Sequence, residues 1–283
     1  AGSVFISGEF GRLSMGDVAG AALASTGDLY GVGLTGLGDL HEMTYVSRLM
    51  NGFGATISDL GVPTGGLGVA TGTSIFPRAL YSYSIDGFTV NASVGISNAS
   101  NTVVTIVDPA TGISASETLT GSSTDVMELA IGASYEFDGF MIAAGYENAR
   151  VKLAGYDGTY PLTGAVSGYD GTYNLGHATL AVSYNTDMYG VKLFAGQAMS
   201  DLKDVLDTPA TSKTQYGLGV TASFDATTVS AFAHRDFFKT TNIGLGVSYD
   251  LGGGAALKAG VVNSNPNAGS STTTADMGLS FSF

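Results

Sequence analysis

The residues with the most chemical potential cluster in one stretch, 19–77, where Asp28, Asp39, Glu42 and Asp59 face a single base, Arg48. Three histidines, His41, His177 and His234, stand in unrelated local contexts. A Ser–His–acid hydrolase needs a hydroxyl, an imidazole and an orienting carboxylate within hydrogen-bond reach. Ser230 and His234 share one face of an extended segment, but four residues of strand separate them by roughly 13 Å. Glu128 and Glu136 are further apart still, so they form no acid/base pair. We assign no catalytic residue and expect no required cofactor. The tandem "GYDGTYPLTG" and "GYDGTYNLG" at 155–164 and 168–176 places Asp157 and Asp170 in equivalent positions. There they either bind Ca2+ together with backbone carbonyls or serve ordinary turns. Glycine-rich pieces such as "GLGVSYDLGGG" precede strands rather than helices, so no helix N-terminus stands ready to hold phosphate.

The elements that must position these groups are strands. In 124–137, Met127, Leu129, Ile131, Ala133, Tyr135 and Phe137 alternate with Glu128, Ala130, Gly132, Ser134 and Glu136. In 242–250, Ile243, Leu245, Val247 and Tyr249 alternate with Asn242, Gly244, Gly246, Ser248 and Asp250. Successive strand side chains point to opposite faces, so each segment has one apolar face and one small polar face. The pattern predicts thirteen strands, near 4–10, 12–18, 78–86, 88–97, 124–137, 140–150, 173–185, 188–200, 213–224, 227–237, 241–250, 254–263 and 272–283. Tight turns such as Asp86-Gly87 and Asp138-Gly139 alternate with connections that are mostly long: 19–77, 98–123, 151–172, 201–212, 238–240 and 264–271.

Composition decides which face is wet. The 283 residues are 44% apolar and only 12% charged, with 42 glycines and no cysteine, and mean hydropathy is +0.24. No apolar run approaches the length of a membrane helix of about 18 residues. Short turns on one rim, long loops on the other and half-apolar strands are the pattern of a transmembrane antiparallel β-barrel. A soluble sandwich shares the alternation but would not sort its loops by length. Phe88, Phe137, Phe140, Tyr184, Tyr189, Phe224 and Tyr249 stand at strand ends beside short turns, where rings suit a membrane–water boundary. The small polar face, Asn91 and Ser93 included, is then expected to be solvated, and Tyr81, Tyr83, Val90 and Val94 to face lipid or a neighbouring subunit. By the same alternation Arg12, Arg78, Lys192 and Lys258 point inward, with Glu9, Glu128, Glu136, Glu147, His177, His234 and Asp276. A net charge of −13 argues against nucleic acid as a partner. Parity adds a condition: strands one and thirteen run in the same direction, so an antiparallel closure requires an odd number of further strands.

"SVFISGEFGRLSMGDVAG", "GDLYGVG", "LYSYSIDGFTV", "GLGVSYDLGGGAALKAG" and "DMGLSFSF" together resemble the general diffusion porins of photosynthetic, Rhodobacter-like alphaproteobacteria. The resemblance runs the length of the chain, strongest at its ends. It implies a 16-stranded barrel assembling as a homotrimer in outer-membrane lipid and lipopolysaccharide and passing small polar solutes and ions. About three strands would precede Ala1. It further implies one barrel domain, 1–283, whose inward-folded third loop, within 19–77, narrows the pore. Asp28, Asp39 and Glu42 would supply the acidic side of that constriction and Arg78, Arg12 and Arg48 the basic side, with Arg78 foremost. Lys192, Lys258, Glu128 and His234 would line the lumen wall. Two other readings stand beside it: a non-conducting structural or adhesive outer-membrane β-protein, and a barrel hydrolase.

Overall fold

In the computed structural model, residues 2–51, 67–70, 77–100, 103–107, 114–118, 122–155, 158–160, 164–166 and 170–282 are described. Asp59 and Asp157 lie outside them. One antiparallel sheet of 13 strands dominates. In chain order its strands are β1 (Ser3–Gly8), β2 (Gly11–Gly16), β4 (Arg78–Ile85), β5 (Phe88–Ser100), β8 (Ser123–Phe137), β9 (Phe140–Ala154), β12 (Gly171–Asn185), β13 (Tyr189–Met199), β14 (Thr214–Phe224), β15 (Thr227–Arg235), β16 (Thr241–Gly252), β17 (Ala255–Asn265) and β18 (Thr272–Phe281). Each pairs with the next in this order. Every strand expected from alternation is present, several extending a few residues further into the long-loop side.

The connections expected to be plain loops carry structure of their own. Leu67–Ala70 (β3), Val103–Val107 (β6) and Ser114–Thr118 (β7) make a small separate sheet, and Gly158–Tyr160 (β10) pairs with Gly164–Val166 (β11). Three six-residue helices, α1 (Ala21–Thr26), α2 (Val46–Asn51) and α3 (Ser200–Val205), complete the elements of the described residues. "VVTIV" is rich in β-branched residues, which favour strand.

Short turns fix the register. Asp86 and Gly87 both hold positive φ (49° and 81°), as do Asp138 and Gly139 (52° and 82°). Two consecutive left-handed residues make the turn whose twist matches the flanking strands, and Asp-Gly tolerates it best. With register set, the apolar face is uniform and outward. Ile131 is 64% exposed and Leu245 is 53%. At the short-turn rim Tyr135, Phe137, Phe140 and Tyr184 form a ladder of rings with centroids 4.3–5.7 Å apart. All seven aromatics expected at strand ends are exposed. An exposed apolar band edged by rings is what a sheet facing hydrocarbon requires.

The opposite face is not simply wet. Residues 17–51 run back across it, and Leu29, Val32, Met43 and Tyr45 bury themselves against Ala143, Ala181, Phe194, Phe232 and Val262 of the sheet. Asn91 and Ser93, expected in water, are buried. The Ser93 hydroxyl accepts the Ala21 N–H that opens α1 (2.9 Å), and Asn91 donates to Ser25 (2.8 Å). The reason is size. A face of Ser, Asn, Gly and Ala leaves depth for another layer of chain, and the segment after β2 supplies it. Small residues at the contact permit the approach: a Cβ on Gly145 would come within 2.7 Å of the Ala22 Cα, and one on Gly260 within 2.6 Å of the Gly33 Cα.

Candidate functional site

The segment 17–51 crosses the inner face from β5 to β18, and wall side chains hold it at intervals. At β8, Glu128 and Arg78 form an ion pair (2.6 Å) with both side chains at most 1% exposed, and the Arg78 guanidinium also donates to the Ser47 carbonyl. On β9, the Glu147 carboxylate accepts the N–H groups of Val46 and Ser47, the open first turn of α2, where free donors favour a carboxylate. Glu147 Oε1 also lies 2.8 Å from His177 Nδ1 on β12, and both residues are fully buried. Tyr45 packs edge-on against His177 and Phe194.

Further along, Gln215 on β14 brackets Thr44, accepting its N–H (3.0 Å) and donating to its carbonyl (2.6 Å). His234 Nε2 donates to the Leu40 carbonyl (2.6 Å). Tyr30 donates to Asn185 (2.6 Å). On β18 the Asp276 carboxylate receives Leu34 N–H, Thr35 N–H and the Thr35 hydroxyl at 2.7–3.0 Å.

This arrangement reassigns the predicted wall charges. Glu128, His234 and Arg78 do point inward, but each is covered by the segment it binds. Arg78, expected as the foremost cation facing open water across the passage, is 3% exposed and neutralised by Glu128. The correction has a plain cause: alternation gives the face of a side chain and not what is folded onto that face.

The acids and the base of the segment also meet one another. Arg48 grips Asp28 through two parallel bonds (2.6 and 2.7 Å) and reaches Glu42 at 2.9 Å. Arg48 was expected on the basic side, opposite Asp28 and Glu42; it sits between them, leaving the trio one negative charge in excess. Burial is the main cause lifting the Glu42 carboxyl above its ordinary value, against the pull of Arg48. Burial likewise lowers the His41 imidazole, which favours its neutral form. Asp39 stands exposed in a left-handed turn (φ 57°).

Three cations keep the inward, accessible position expected of them. Arg12 lies over the Phe5 ring at 3.9 Å, donates to Ser14 and is exposed. Lys192 comes beside Gly27 of the segment, and Lys258 borders a recess next to Gly31–Gly33. The anchoring roles of Glu147, His177, Gln215 and Asp276 were missed. Phe194 and Phe232 carried the usable signal, being large apolar rings on a face otherwise mostly polar or small. Asp170 accepts the Gly155 N–H at 3.0 Å, and no group of three or more metal-ligating side chains occurs among the described residues.

An outward apolar band, an inward polar face and a chain segment pinned across the interior define the class of membrane β-barrel channels. Residues 1–269 match the model of the Gram-negative porin family. The chain belongs to that family, outer-membrane channels that pass small hydrophilic solutes by passive diffusion. It is 32% identical to a porin of Rhodobacter capsulatus over 288 aligned positions, covering all of this chain and 81% of that protein. A solved porin structure superposes with a TM-score of 0.63 at 28% identity, over 99% of this chain and 80% of its own. A variant of Rh. blastica porin (TM-score 0.52, 18% identity, 99% of this chain and 76% of that one) shares the fold.

Proposed function

We propose that the segment 17–51 is the constriction of this channel and that Asp39 and Glu42 set a weak preference for cations through it. The observation that carries this reading is the series of wall contacts, Ser93 to Asp276, that fixes the segment across the inner face rather than leaving it at the rim. Pore width and the sign of the lining charge decide what passes. Small hydrophilic solutes and ions are the cargo, and the protein sits in the outer membrane among lipid and lipopolysaccharide. It works as a homotrimer, with part of the exposed apolar face, around Tyr81 and Val94, against a neighbouring copy. The channel reading leaves His234 and His177 as anchoring rather than catalytic groups, His234 engaged by Leu40 and His177 by Glu147. No cofactor is needed for passage, and Ca2+ at the 155–176 repeat would be structural.

Reconstitution in planar bilayers tests the proposal. Discrete current steps, with a reversal potential in a salt gradient showing modest cation preference, are expected. Anion preference, unchanged when Asp39 and Glu42 are both replaced by the corresponding amides, would refute the assignment. Chemical cross-linking in detergent should trap a species of three chains, and a product confined to one chain would refute the trimer.

A further inference from the structure

On the short-turn side of the constricting segment, Gly31 to Gly33, with Gly33 resting on Gly260 of the wall, border an open recess of about 260 Å³ together with Thr228, Ser230, Ser248 and Lys258. That is enough for a small solute but not a bulky one. Its chemistry is one-sided. Thr228, Ser230 and Ser248 bring hydroxyls, and the two glycines of the segment bring backbone alone. Lys258 brings an ammonium that makes no ion pair and no hydrogen bond among the described residues. Register explains the grouping: Ser248 lies opposite both Thr228 and Lys258 in the sheet.

The neighbouring carboxylates are committed elsewhere. Asp276 is occupied by Leu34 and Thr35, and Asp250, nearer the rim, accepts the Gly252 N–H (2.8 Å). Elsewhere on the wall, Arg78 is paired with Glu128. Lys258 is left with hydroxyl neighbours and a cavity beside it.

We propose that this recess is a solute-binding subsite for a small molecule that carries a carboxylate or phosphate beside hydroxyl groups, of the sugar-acid or sugar-phosphate class. Lys258 pairs with the oxyanion, and Ser230 and Ser248 bond the remaining oxygens. A charge-assisted bond between ammonium and oxyanion is stronger than its neutral counterpart. An acidic solute is therefore held in preference to its neutral analogue. The subsite rests on the channel reading for solute access, and it sits on the far side of the constriction from the long loops.

Saturation-transfer NMR on the full chain in detergent tests this without requiring conduction. The probes are gluconate and glucose 6-phosphate, with glucose as the neutral reference. Both anions should give transfer signals that saturate at concentrations at least five-fold lower than any signal from glucose. Lys258→Gln should abolish the difference, Lys258→Arg should retain it, and Ser248→Ala, a smaller change to the wall, should weaken anion binding by three-fold or more. Equal signals from glucose and the anions would overturn the proposal, as would an anion signal that survives Lys258→Gln. Response to gluconate but not to glucose 6-phosphate assigns carboxylates, and the reverse assigns phosphates. Loss of current steps in bilayers would instead count against the channel reading, so the two failures are separable.

Discussion

At the scale of single residues, the inward charges of this chain divide into those that hold the segment 17–51 and those that meet water. Arg78 and Glu128 belong to the first kind. Removing one member of a buried pair leaves the other charge unpartnered, which costs about 3–5 kcal/mol. Arg78→Ala and Glu128→Ala should each lower thermal stability, while the double replacement by apolar residues of similar volume should cost much less than the sum. A double-mutant cycle measured by thermal unfolding in detergent checks this, and strict additivity would count against the pairing. Glu42 belongs to the second kind. Because burial raises its folded-state value, the folded chain holds the proton more tightly than the unfolded chain. Its contribution to stability is therefore greatest below the unfolded value and fades as pH rises through the folded one. Glu42→Gln should be neutral or mildly stabilising at pH 7. Cation preference should decline with falling pH at a higher pH in the wild type than an ordinary glutamate would produce, and reversal potentials across a pH series in Glu42→Gln should lack that step.

At the scale of elements, strand and loop follow different logic, and that explains how much could be read from sequence. All thirteen strands of the main sheet were legible, because alternation and Asp-Gly turns are local properties of β5, β8 or β16 taken alone. The face of each inward residue was legible for the same reason, from Arg12 through Asp276. What lies on that face was not. Whether Asn91 meets water or Ser25, and whether Arg78 meets solute or Ser47, depends on 17–51 returning across the wall, contacts up to 242 positions apart in sequence. The rings of Phe194 and Phe232 were the local trace of that return. Replacing both by alanine should unseat the segment, since each large-to-small change in a packed layer costs about 3–5 kcal/mol; limited proteolysis should then cleave within 17–51 while the strands survive. Gly260→Val acts from the other direction. Its side chain would meet the Gly33 backbone, and overpacking of this kind costs about 1–3 kcal/mol. Lower thermal stability with altered conductance is the expected outcome, and unchanged values of both would show that the segment does not rest on β17.

At the scale of the whole molecule, the apolar residues of the sheet face outward and the polar layer inside is largely consumed in holding 17–51. The interior is consequently asymmetric. The acidic excess of Asp28, Glu42 and Asp39 rides on the segment, while Lys192 and Lys258 remain on the wall toward the short turns. On the proposed reading of 17–51 as the constriction, the channel owes its width to anchoring rather than to strand number alone. The most direct measurement of that claim is single-channel current from the wild type beside Glu147→Ala, which loses the carboxylate that binds Val46, Ser47 and His177. Discrete steps are expected from the wild type, and larger, noisier steps once the segment is released. A wild type that passes no current, or a Glu147→Ala channel indistinguishable from it, would overturn the constriction by 17–51.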